Sequence, residues 1–120
     1  MPTCFKRACR NTRILLPDGS PLPCRFARTP LARARGLLGT DASFLAGGVL
    51  CLQRCRDIHT FGMRYAIDVA FLDSDGRVLL SCRVVPPSCR LRASGVVCVL
   101  ERASTLSPWP VPGDLVRFVA

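Results

Sequence analysis

Lysine is nearly missing from this 120-residue chain: Lys6 is the only one, and the rest of its 17 basic residues are arginines. Acidic residues are also few, eight in all, which leaves a net charge of +9. A surface of this sign associates with polyanions at low salt. The arginines are spread from Arg7 to Arg117, so there is no basic tail and no dense basic run. Aromatic residues make up only 7% and are not interleaved with the basic ones, which excludes a stacking platform for single-stranded nucleic acid. Apolar runs never approach the ~20 residues that a transmembrane helix needs. Internal repeats, low-complexity stretches and linkers are absent as well, so residues 1–120 read as a single domain. The first dozen residues, Met1 to Thr12, hold basic residues but no apolar stretch of signal-peptide length, and no small-residue cleavage site follows.

Eight cysteines are present: Cys4, Cys9, Cys24, Cys51, Cys55, Cys82, Cys89 and Cys98. In a secreted protein they would form a disulfide framework. Without an export signal, the expectation is a cytoplasmic protein with free thiols. Cys82 and Cys98 sit inside apolar runs and should pack as small hydrophobes.

The apolar content is 49%, arranged as short β-rich runs between Gly, Pro, Asp and Ser. That pattern predicts strands at 12–16, 22–27, 48–52, 67–73, 76–85, 96–101 and 114–119. Residues 86–95, which open with Pro86-Pro87-Ser88, read as a loop. Pro17-Asp18-Gly19-Ser20 supplies turn chemistry for a first hairpin. A second is plainer still: Ile67, Val69 and Phe71 alternate onto one face, Asp75-Gly76 turns, and Val78 starts the return strand. Asp73-x-Asp75-Gly76 lacks the later ligands of a calcium loop and reads as that turn. One helix is expected near residues 30–38, with Thr29 as N-cap, Pro30 in the first position, and Leu31, Ala34, Leu37 and Leu38 forming an apolar side. Gly36 is a poor interior residue and marks either a close backbone approach or an early helix end. Trp109, in a Pro-rich turn, should close one end of the core. The fold class is therefore mostly β: a single-domain, jelly-roll-like sandwich or barrel with one short helix.

No complete catalytic set is recognisable. The sole histidine, His59, lies in the richest polar segment, Cys51 to Asp68. Cys51, Cys55 and His59 are spaced by four, which on a helix would align three zinc ligands. The local pattern favours strand and loop, and no fourth ligand follows, so neither metal nor cofactor is expected. Asp57 and His59 would share a face on a strand, where the carboxylate could orient the imidazole. Neither Ser43 nor any cysteine carries a nucleophile motif. Asp68 interrupts an apolar strand and needs a cation or several donors if buried. Arg33, Arg35, Arg64 and His59 are the candidate partners, with Phe61, Met63 and Tyr65 as apolar walls of a cleft.

Together these motifs resemble a bacterial and archaeal family, domain of unknown function 192. The resemblance rests on Arg33-x-x-Gly36-Leu37-Leu38, Gly48-Val49-Leu50, Phe61-Gly62-Met63-Arg64 before Ile67-Asp68-Val69-Ala70-Phe71, Asp75-Gly76-Arg77-Val78, and Gly113-Asp114, spanning about residues 25–119. It implies a mostly β domain of jelly-roll-like architecture and no settled activity. The sequence thus suggests a small binding or accessory module that recognises a polar or anionic ligand, or a partner protein, through Arg33, Arg35, His59, Phe61, Met63, Arg64 and Asp68. The alternatives are a small enzyme using His59 with Asp57 or Asp68, and polyanion binding through the basic surface.

Overall fold

The computed structural model describes residues 12–41, 45 and 47–119; Cys4, Cys9 and Ser43 lie outside them. The elements in order are β1 (Arg13–Leu15), β2 (Pro21–Ala27), α1 (Pro30–Arg35), β3 (Val49–Gln53), β4 (Asp57–His59), β5 (Ile67–Leu72), β6 (Val78–Val85), β7 (Arg90–Arg92), β8 (Cys98–Ala103) and β9 (Arg117–Val119). Seven strands form one sheet in the order β6-β5-β8-β3-β2-β1-β9, and β4 pairs with β7 in a small second sheet. The expected mostly β architecture with one short helix is what the chain adopts. The sheet curls toward its own edge: Arg77 bridges to Leu115, and the backbones of Gly76 and Val78 bond to Gly113, Asp114 and Val116 just ahead of β9.

Neighbouring strands pair antiparallel with one exception. β2 and β3 run parallel, Cys24 opposite Val49 and Ala27 opposite Leu52. A parallel pair needs a crossover, and here the crossover carries α1.

Strand alternation splits the apolar residues into two clusters. One joins Ile14, Cys24, Val49, Cys51, Ala70, Leu72, Cys98 and Leu100 and is closed by Trp109, 7% exposed, as the sequence suggests. The other joins Leu50, Leu52, Ile67, Val69, Phe71 and Val99 on the opposite face, where Leu37 and Ile58 cover it. Both faces of the sheet are therefore buried, which is why β5 has no exposed residue.

Two short strands were not legible as such. β4 and β7 have three residues each, and the stretch read as a 10-residue loop, 86–95, contains β7. Their pairing depends on Thr60, which is buried. Its Oγ1 donates to the carbonyl of Pro86 (2.7 Å) and accepts from the N–H of Cys89 (2.8 Å), while its backbone N–H donates to the Cys89 carbonyl (2.8 Å). This ties the chain after β4 to the loop before β7.

The helix is shorter than expected and buries none of its own residues; Leu31 is exposed. Thr29 does cap it, its Oγ1 accepting from the N–H of Ala32 (3.1 Å). It stops at Gly36 (φ 51°, ψ −127°), a conformation open in practice to glycine alone. Leu37 then turns into the second cluster, 2% exposed.

Among the six described cysteines, all free, Cys24, Cys51 and Cys98 are buried. Cys24 and Cys98 thiols hydrogen-bonded to Cys51, together with burial, push the Cys51 thiol well up, so it stays protonated and unreactive. Alkylation of the folded protein followed by peptide mapping should leave these three unmodified while Cys82, Cys89 and Cys55 react faster.

Candidate functional site

Asp68 and Arg102 face each other across β5 and β8. The pair is sealed: Asp68 is 0% and Arg102 4% exposed, with Arg102 Nε donating to Asp68 Oδ2 at 2.9 Å. Ser104 Oγ (2.9 Å) and the N–H of Val84 (3.0 Å) donate to Oδ1, and the Arg102 guanidinium lies 4.4 Å from the centre of the Trp109 ring. Burial pushes this carboxyl up, but the N–H of Val84, Arg102 and Ser104 outweigh it and hold the pKa below the usual aspartate value. Asp68 therefore meets none of the partners expected from the sequence. Strand alternation turns it to the first cluster, away from Arg33, Arg35 and His59, and a cation 34 residues further along neutralises it. Its role is to pin the β6 bulge, where Arg83 and Val84 stand opposite Asp68 and Val84 takes φ 53°.

On the opposite face lies a cleft of about 180 Å³ between α1, β4 and the end of β8. Arg33, Arg35, Gly36 and Leu37 form one wall; Asp57, Ile58, His59 and Met63 form the other; Leu52, Ile67 and Glu101 lie at the floor. Four of the seven sequence-derived candidates, Arg33, Arg35, His59 and Met63, are thus brought together. Phe61 stands beside them, half exposed, its ring stacked on His59 with centroids 5.3 Å apart. Arg64 is exposed and outside the lining, and Asp68 is on the other side of the sheet.

Glu101 belongs to none of the motifs that the sequence singles out. It is the only glutamate in the chain and is 3% exposed. Its β8 parity is that of Val99, so its side chain emerges on the second cluster's face, in register with Leu50 and Val69. Among the described residues no arginine or histidine forms an ion pair with it. Burial pushes its pKa up to about 7, against which the backbone N–H of Leu37 acts. The signal was available in Val97-Cys98-Val99-Leu100-Glu101, where alternation continues a core position into an acid.

Gly36 makes room for that acid. A Cβ built there would fall 2.9 Å from Glu101 Oε1. Gly36→Ala should lower stability by about 1–3 kcal/mol through the positive φ and the crowded carboxyl, read as a fall in the urea midpoint at unchanged slope.

The cleft's other acid is occupied. Both oxygens of Asp57 are engaged by Arg90, at 3.0 Å from Nε and 2.6 Å from Nη2. The hydrogen bonds to Arg90 lower the Asp57 pKa, an effect that burial opposes and the charges of Arg90, Arg92 and His59 support. His59 is exposed, with neither Asp57 free to orient it nor Asp68 on its side of the sheet. Cys51 lies inside the first cluster while Cys55 packs on the second, so the i, i+4, i+8 ligand spacing does not converge. Arg33 Nη1 donates to the carbonyl of Gln53 (3.3 Å), which holds the guanidinium against the end of β3.

The family model of domain of unknown function 192, described as "Uncharacterized ACR", matches residues 14–108. The chain belongs to this family. Two solved structures share the fold of this family member. A "putative transcription regulator" from Sinorhizobium meliloti superposes with a TM-score of 0.71 at 19% identity, covering 89% of this chain and 91% of that one. A protein of unknown function from Novosphingobium aromaticivorans gives 0.72 at 18% identity, covering 98% of each chain. Among curated proteins none matches. At these identities the likeness of the family member to both structures is one of fold. Among its described residues no helix is long and apolar enough to cross a membrane.

Proposed function

We propose that this domain of unknown function 192 protein is a small binding module whose site is the cleft between α1, β4 and β8. The supporting observation is Glu101: an ionisable carboxyl buried to 3% exposure at the floor of an open cleft. A structural acid at such depth ordinarily has a cation or a full set of donors, as Asp68 does on the other face. Glu101 has the Leu37 N–H and a cleft in front of it. A group held this way, with perturbed ionisation and convergent polar neighbours, marks a site better than a scaffold.

Arg33, Arg35 and His59 line the walls and supply recognition; Leu52, Ile58, Ile67 and Met63 supply apolar contact. Catalysis through His59 is disfavoured by the engagement of Asp57 with Arg90. The test is a thermal-shift screen of small acids, amines and sugars on the wild type and on Glu101→Leu. Compounds that raise the Tm of the wild type and not of the variant support the reading; equal shifts in both, or none in either, overturn it.

A further inference from the structure

Resting on that reading of the cleft, we propose that its ligand is a small organic carboxylate, which accepts a hydrogen bond from the carboxylic O–H of Glu101 while Arg33 neutralises its charge.

The charge facing the site decides among ligand classes. From α1 come Arg33 and Arg35, both cationic and both lining the cleft. From β4 come His59 and Asp57, the latter cancelled by Arg90 of β7, with Arg92 also acting on it. The link between β3 and β4 carries Arg54 and Arg56, both exposed and outside the lining, and Cys55, whose thiol proton burial and the nearby Glu101 charge help to retain. From β3 and β5 the lining side chains are Leu52 and Ile67, and from the turn after β4 it is Met63. One acid thus faces a cationic wall.

An ammonium ligand would pair with ionised Glu101 but sit against Arg33 and Arg35, which disfavours it. A sugar needs many donors and acceptors, and the floor around Glu101 is hydrocarbon. A carboxylate satisfies both sides: the guanidinium fork meets its charge, and the protonated acid gives the floor its single donor. A volume of about 180 Å³ is close to the ~150 Å³ of a cavity that holds benzene, which limits the ligand to a short chain.

Binding is proton-linked by this arrangement. Where Glu101 is ionised, it must first take one proton from solvent; no covalent bond forms or breaks, and the proton stays between the two carboxyl groups. Where Glu101 is already protonated, no uptake accompanies binding.

Isothermal titration calorimetry with butyrate, butylammonium and glycerol between pH 6 and pH 9 tests this. Butyrate should bind, with affinity falling about tenfold per pH unit above neutrality and an apparent enthalpy that changes with buffer ionisation heat at pH 8. Glu101→Gln, whose amide is also a donor, should bind butyrate with an affinity that no longer varies with pH. Arg33→Gln should weaken binding at least tenfold while leaving the pH slope intact. Butylammonium or glycerol binding in preference to butyrate, with dependence on Glu101, would overturn the carboxylate assignment and leave the binding module standing. A wild-type butyrate affinity that is flat with pH would likewise overturn the shared proton. If none of the three probes binds at millimolar concentration, the carboxylate assignment falls. The wider thermal-shift screen then decides the binding reading separately.

Discussion

Replacing Asp68 with alanine is expected to cost about 3–5 kcal/mol of folding stability, because it strands the Arg102 guanidinium in a site that is 4% exposed. The loss goes beyond one ion pair. The acid also accepts from Ser104 and from the N–H of Val84, a β-branched residue held at φ 53°. Without that acceptor the β6 bulge loses the bond that keeps an unfavourable backbone conformation in place. Urea denaturation of Asp68→Ala against wild type measures the cost. The double variant Asp68→Ala, Arg102→Met should recover much of it, since no charge is then left buried alone. A single variant that unfolds within about 1 kcal/mol of wild type would mean the pair contributes little.

The pH dependence of the pair follows from the lowered pKa of Asp68. The folded carboxylate binds its proton less tightly than the unfolded one, so the stabilisation is present above about pH 4 and is lost as pH falls through the folded-state value.

Glu101 has the opposite sign. Its folded pKa, about 7, lies above the ordinary value of 4.5, so the folded state holds the proton more tightly than the unfolded chain does. Burial of Glu101 therefore costs nothing extra below pH 4.5. The cost grows between pH 4.5 and pH 7, and reaches about 3 kcal/mol above pH 7. Glu101→Gln removes the ionisation and should be close to wild type in stability at pH 4, yet more stable by up to about 3 kcal/mol at pH 8. Denaturant midpoints of both proteins at the two pH values measure this; parallel behaviour across the range would show that the carboxyl is not desolvated. Taken with Asp68, the wild-type optimum should fall on the mildly acidic side of neutrality. A residue that makes the protein less stable at physiological pH is the kind of feature retained for a site.

The sheet was legible in the sequence where hydrophobic alternation ran for several residues. The β5–β6 hairpin, with Ile67, Val69 and Phe71 on one face, is the plainest case, and the turn at Asp75-Gly76 lies where its chemistry placed it. β4 and β7 were not legible, because three residues give too little periodicity and their pairing rests on Thr60 bonds to Pro86 and Cys89, far along the chain. The helix boundary was half legible. Gly36 announced an interruption, but the acid that requires it comes from β8.

The site divides the same way. Arg33, Arg35, His59 and Met63 could be drawn together from one polar segment and one helix. Asp68 was rightly singled out as a carboxylate needing a cation, but strand parity, not proximity in sequence, determined which cation it found. Alternation placed Glu101 on the second cluster's face just as it placed Asp68 on the first's.

The position of Trp109 has an optical consequence. The chain's only indole lies over the Arg102 guanidinium and donates Nε1–H to the carbonyl of Val69 (3.1 Å), on the far side of the sheet from Glu101. Its emission will follow the opening of the Asp68 end as the barrel unfolds. A molecule entering beneath α1 will leave that emission almost unchanged, so occupancy must be followed by heat, by nuclear resonance of Met63, or by a fluorophore placed at the rim.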